Sequence, residues 1–138
     1  MRCLVHRKGA TRAFPAGIPT CPRRTRASGS RCWCRATWDR YSYVLVGRPG
    51  AMAHAFGSSC HGAGRQMSRT QAVRETRGRD LVEELARPAS RVRYQGRDTL
   101  REETSEAYKG RRPRRRVVEG ADLARSVARL KPFLVIKG

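Results

Sequence analysis

Apolar and polar positions along this 138-residue chain change period several times, and each change predicts an element. Tyr41 to Val46 is rich in aromatic and β-branched residues and is closed by Gly47-Arg48-Pro49-Gly50, which predicts a strand and a turn. Ala51 to Phe56 predicts a short helix. From Ser68 to about Arg87, the residues Val73, Leu81, Val82 and Leu85 offer one apolar face, which predicts the longest helix, weakened in its middle by Gly78. Arg91 to Tyr94 predicts a strand. A helix is expected from a cap at Asp98 or Thr99 through about Ala107, and another over Asp122 to Leu130. Phe133 to Ile136 predicts a terminal apolar strand. This mixture is α+β, without the regular strand–helix–strand alternation of a doubly wound sheet.

The stretch Gly57 to Arg69 carries the most chemistry. It sets His61 between Ser58-Ser59-Cys60 and the glycine-rich turn Gly62-Ala63-Gly64-Arg65. Glycines beside an imidazole let a phosphate come close to the backbone, and successive amides in such a turn make an anion-binding concavity. Arg65 and Arg69 can fork onto phosphate oxygens. Ser68-Arg69-Thr70-Gln71 reads as a capping box, which aims the positive end of a helix at the same place.

These residues carry a family resemblance. His61-Gly62-Ala63-Gly64-Arg65 followed by Met67-Ser68-Arg69 resembles the active-site loop of the RtcB family of RNA-splicing ligases. Further segments resemble the family in the same order: Val5 to Ala13, Tyr41 to Gly47, Glu106 to Lys109, Val127 to Pro132, and Val135 to the terminal Lys137-Gly138. A single glycine motif is weak evidence, whereas several ordered ones are not. The resemblance covers nearly the whole chain and implies the C-terminal portion of an RtcB-like α+β fold, with the N-terminal metal-binding part outside it.

What the resemblance implies is an enzyme: a GTP-dependent RNA ligase that joins RNA 3′-phosphate or 2′,3′-cyclic phosphate ends to 5′-hydroxyl ends in tRNA splicing and RNA repair. His61 would be the nucleophile that carries GMP. Gly62, Ala63 and Gly64 would face its phosphates, and Ser42, Tyr108 and Lys137 would contact the guanine nucleotide. Lys8, Arg12, Arg65 and Arg69 would meet the reacting phosphates or RNA. The cofactors implied are GTP and manganese, the metal's ligands lying upstream of anything in this chain, so that no metal residue is assigned here. Neither His6 nor His54 corresponds to one of those ligands, and both are expected to be structural. Implied partners are RNA (tRNA halves or broken ends), an N-terminal ligase piece and an archease-like activator.

Two segments, 22–38 and 110–116, do not resemble the family, and each carries five arginines. Both become intelligible if the reading frame slipped by a nucleotide and later recovered, with residues 87–90 as a third, shorter slip. In the given frame the first segment would set arginines where strand residues should be apolar, and burying unpaired charge is prohibitive. The isolated chain is therefore expected to show no ligation.

Composition changes this picture little. A net charge of +20 suits a polyanion partner, but ten of the 31 basic residues lie in the two odd segments. A noncatalytic basic RNA-binding fragment is the rival reading. Five cysteines invite a zinc or disulfide module, yet their spacing matches no tetrahedral site. No apolar run approaches membrane length and Met1 to Val5 is too short for a signal segment, which implies a cytoplasmic protein. No internal repeat is visible.

Overall fold

The structure is a computed structural model that describes residues 4–35, 41–86, 91–109 and 112–137. The chain divides into two units. The first comprises residues 1–35, 43–62 and 110–129, and the second residues 36–42, 63–109 and 130–138.

In the first unit, β1 (Ala10–Arg12) pairs antiparallel with β4 (Ser58–Cys60). A three-stranded sheet has the order β2 (Arg31–Cys34), β3 (Ser42–Gly47), β6 (Ala124–Leu130), and β2 runs antiparallel to β3 with Cys34 opposite Tyr43. Three helices belong to this unit: α1 (Arg23–Arg26), α2 (Pro49–Ala55) and α6 (Arg112–Gly120). Ala13, Cys32, Cys34, Leu45, Ala51, Val118 and Ala124 form the buried core, with Tyr43, Cys60 and Leu123 packed against it.

Strand β2 falls inside a segment for which no element was predicted. Its residues alternate, with Cys32 and Cys34 turned into the core while Arg31 and Trp33 face out. Arg31, the arginine of this strand, is therefore exposed, not buried as the sequence suggested, because a period of two gives the inward positions to cysteine. Residues 36–38 and 110–111 of the two odd segments, and the short patch 87–90, lie outside the described residues.

The helix expected over 122–130 is a strand. Asp122 sits in the left-handed region (φ 51°), its amide bonds to the Glu119 carbonyl, and the Leu123 amide bonds to the Val118 carbonyl. This pair of bonds is a Schellman ending, so Asp122 terminates α6 instead of starting a helix. The chain then leaves extended, with Ala124 buried beside β3.

In the second unit, the long helix expected from Ser68 splits. Helix α3 (Arg69–Glu75) ends where the Thr76 hydroxyl bonds back to the Ala72 carbonyl at 2.8 Å, and Gly78 turns the chain at φ 87°. Asp80 then caps α4 (Leu81–Ala86) by accepting from the Val82 and Glu83 amides. The helix expected to reach Ala107 is likewise broken into α5 (Arg97–Arg101) and a 3-10 turn, Ser105–Ala107. Strands β5 (Arg91–Tyr94) and β7 (Leu134–Lys137) pair in parallel. Ala63, Ala72, Leu81, Leu100 and Ala107 are buried here. The overall class is the expected α+β.

Candidate functional site

The predicted site residues fall on both units, and each set has its own geometry. On the first unit the ladder between β1 and β4 ends at the Ala10–Cys60 pair, and His61 follows directly. The Arg35 amide donates to the His61 carbonyl at 3.0 Å, and Arg35 bridges Gly62 in parallel. Backbone bonding thus fixes the position of His61 and leaves its side chain out of the bond network. The imidazole is exposed, with no side-chain hydrogen bond among the described residues.

Strand β4 is anchored from the N-terminal side. Arg7 donates from Nε to the Ser58 hydroxyl at 2.8 Å and from Nη2 to the Phe56 carbonyl at 2.9 Å. Lys8 and Gly9 form a bend before β1, with Gly9 at φ 71°, and Lys8 is exposed. Arg12 occupies the other end, opposite Ser58, with its guanidinium 5.4 Å from the centre of the Phe14 ring. The structure therefore sets Arg12 at the end of the ladder away from His61. Ser42, the half-buried first residue of β3, is grouped with the second unit.

On the second unit the glycine turn is held against the segment around Tyr108. The Lys109 amide donates to the Gly64 carbonyl at 3.1 Å, Arg65 bridges Tyr108, and the Gln66 amide donates to the Ala107 carbonyl at 2.8 Å. Gly64 has φ 63°, which favours glycine, whereas Gly62 does not. Ala63 is buried.

Arg65 is committed internally. It donates from Nε to the Met67 carbonyl at 3.1 Å, from Nη2 to the Glu102 carbonyl at 2.5 Å, and from Nη1 to the Tyr108 hydroxyl at 2.9 Å. Its Nη1 also lies 3.5 Å from Glu103. The Tyr108 hydroxyl in turn donates to the Glu103 carboxylate. Burial, and then the bond and negative charge of Glu103, push the Tyr108 phenol above its ordinary value. Arg69 is mostly exposed and reaches Glu102 at 3.6 Å. The backbone of Lys137 pairs with Tyr94.

Ser68 caps α3 as the sequence predicted, accepting from the Gln71 amide at 3.1 Å, but Gln71 turns its own side chain to Glu75 and does not close the box. Three supports escaped the sequence: Glu102, Glu103 and Arg7. Arg7 reaches Ser58 across 51 positions, a separation with no local signal. Glu103 meets Tyr108 only because a 3-10 turn intervenes. His6 and His54 are exposed, and among the described residues no group of three His, Cys, Asp or Glu side chains is placed to hold a metal ion. No helix among them is long and apolar enough to cross a membrane.

Comparison with known proteins completes this picture. The profile of the family described as tRNA-splicing ligase RtcB matches residues 1–138. A tRNA-splicing ligase RtcB from Thermococcus kodakarensis is 45% identical over all 138 residues, which cover 29% of that protein. One from Pyrococcus furiosus is 44% identical and covered over 14% of its length, and an RNA-splicing ligase RtcB homolog from Entamoeba dispar is 38% identical and covered over 26%. The chain thus spans less than a third of the length of these relatives. With the whole of its sequence matched, the chain belongs to the RtcB family.

Proposed function

We propose that this chain carries the nucleotide-bearing portion of a GTP-dependent RNA ligase, with His61 as the residue that takes up GMP. The observation that carries the reading is the exposed, unpartnered imidazole of His61, tethered by its own carbonyl, in a chain matched to the family over its full length. A neutral imidazole nitrogen is a competent nucleophile near physiological pH. It would attack the α-phosphorus of GTP, forming a P–N bond and releasing pyrophosphate. GMP would then pass to an RNA 3′-phosphate, and a 5′-hydroxyl would attack the activated end and release GMP.

The chain's own residues have separable parts in this scheme. Lys8, exposed just before β1, would supply positive charge to the reacting phosphates. Gly62, Ala63 and Gly64 would face the phosphates of the nucleotide. Tyr108, Ser42 and Lys137 would recognise the guanine nucleotide. Arg65 contributes chiefly by holding Tyr108, and Arg69 is left exposed for RNA phosphate or for Glu102. Manganese, which the resemblance implies, does not fit the described residues, since none of them form a metal-binding group. Its ligands would come from a ligase portion outside the described residues, and an archease-like protein would act on the assembled ligase.

The test is a graft. Residues 1–138 replace the matching segment of a full-length relative, which is then incubated with α-labelled GTP. A covalent label that disappears in His61→Ala supports the reading, and equal labelling of both proteins sinks it. The isolated chain is expected to give no ligation in the same assay.

A second reading rests on the +20 charge and on the exposed guanidiniums of Arg31, Arg35, Arg125 and Arg129. In it the chain binds RNA phosphates without chemistry. Salt-dependent RNA binding by a graft that takes no label would favour it.

A further inference from the structure

Next to His61 lies a pair of sulfurs that the ligase reading does not use. The Cys60 and Cys34 Sγ atoms are 3.5 Å apart, and both residues are reduced. They come from segments 26 positions apart, the end of β4 and the end of β2, both within the first unit. Backbone bonding already holds these segments together one residue further on, where the Arg35 amide meets the His61 carbonyl.

The two thiols differ in access. Cys60 is half-buried and reachable from solvent, whereas Cys34 is 9% exposed. Cys32, on the same strand as Cys34, is 1% exposed, and burial pushes its thiol up to about 12, so it stays protonated. Cys21, also buried, has no part in this cluster.

We propose that Cys60 and Cys34 form a redox-modification site, a dithiol that a hydroperoxide converts to a disulfide beside His61. The Cys60 thiolate attacks one peroxide oxygen; the S–O bond forms as the O–O bond breaks, and the departing hydroxide takes a proton and leaves as water. The Cys34 thiol then attacks the Cys60 sulfenic sulfur. An S–S bond forms, the S–O bond breaks, and a second water leaves with the thiol proton. Two thiols lose two electrons in total, and the peroxide gains them.

The sulfurs need to close only from 3.5 Å to roughly 2.05 Å, a shift within side-chain rotation. The product ties β2 covalently to the residue before His61 and restrains the loop that presents the imidazole. Formation of the bond does not depend on whether His61 carries a nucleotide, so it can be tested separately from the ligase reading.

The experiment treats the purified full chain with hydrogen peroxide, blocks remaining thiols with iodoacetamide in denaturant, and maps the linkages by tandem mass spectrometry. Cys32 and Cys34 share a tryptic peptide, so the mapping is repeated in Cys32→Ser. The expected product is a Cys34–Cys60 linkage, lighter than the dithiol by two hydrogen atoms, reversed by dithiothreitol and absent in Cys34→Ser and Cys60→Ser. It should persist in Cys32→Ser and in Cys21→Ser, and lose its preference when oxidation is done in denaturant. Linkage mainly through Cys32 or Cys21, Cys60 accumulating as sulfinic acid without a crosslink, or unchanged alkylation of both residues would each overturn the proposal.

Discussion

The Arg65 guanidinium lies 4.9 Å from the centre of the Tyr108 ring and also donates a hydrogen bond to its hydroxyl at 2.9 Å. One cation thus restrains both the plane and the tip of an aromatic side chain 43 positions away, while its remaining donors grip two backbone carbonyls. A planar fork with several fixed donors can do this, and an ammonium cannot. Its place in the glycine loop suggested a phosphate ligand, but the contacts make it a brace between that loop and Tyr108.

Arg65→Lys should therefore behave as a structural lesion. Losing the bonds to Glu102 and Met67 and leaving Glu103 less well paired should lower stability by about 1–3 kcal/mol. Chemical denaturation of the variant checks this, together with hydrogen exchange at the Gln66 and Lys109 amides, which hold the same loop. Wild-type stability with unchanged exchange would contradict the brace.

The second expectation concerns alkaline pH. The folded-state phenol of Tyr108 is raised, first by burial and then by Glu103, so its neutral form is the one that folding favours. A group whose pKa rises on folding stabilises fully below its unfolded value, about 10 for tyrosine. That contribution fades as pH climbs from there through the folded value. Denaturation midpoints measured from neutral pH to beyond 10 should fall more steeply in wild type than in Tyr108→Phe.

How much of this could be read in the sequence depends on how local each cause is. The cap at Ser68 and the strand predicted from Tyr41 rest on neighbouring residues, and both were legible. The strand at Ala124–Leu130 was not, because Leu123, Val127 and Leu130 also satisfy a helical spacing and only the Schellman ending at Asp122 decides against it. Strand β2 was hidden because cysteine, in an arginine-rich run, does not advertise an apolar face. The break at Thr76 and Gly78 was visible as a weakness, and the second capping residue, Asp80, makes it a true boundary. The motif singled out His61 as a candidate, but its tether to Arg35 was not legible, since two strands must first converge.

Asp122 gives the third expectation. Its carboxylate accepts from Arg48 Nε at 2.8 Å and from the Gly50 amide at 3.2 Å. It thereby serves the first turn of α2, whose own N-cap residue, Arg48, makes no side-chain cap. The Arg48 bond, and then the Gly50 amide, hold the carboxyl below its ordinary value. A depressed pKa means stability that is present above the unfolded value, about 4, and lost as pH falls through the folded one. Asp122→Asn should keep the left-handed backbone, which asparagine tolerates, yet flatten the acid limb of a stability–pH profile. An acid limb of unchanged slope would separate Asp122 from the α2 terminus.

The last expectation separates glycines that serve packing from one where a side chain would meet no steric obstacle. A Cβ at Gly47 would sit 2.4 Å from the Ala13 carbonyl carbon and 2.5 Å from the Ala13 and Phe14 oxygens, all backbone. Nothing there can swing aside, so Gly47→Ala should cost about 3 kcal/mol. At Gly64 the obstacle is conformational: φ is 63°, and an L side chain in the left-handed region costs about 1–2 kcal/mol. Gly62 has neither constraint, because a Cβ there would meet nothing closer than the Arg35 carbonyl at 3.5 Å, an ordinary contact. Gly62→Ala should therefore unfold within about 0.5 kcal/mol of wild type. If Gly62 keeps space for a phosphate beside His61, the same substitution in the grafted ligase should sharply reduce GMP labelling while stability holds. Full labelling with an alanine at this position would mean that the backbone at Gly62 does not face the nucleotide.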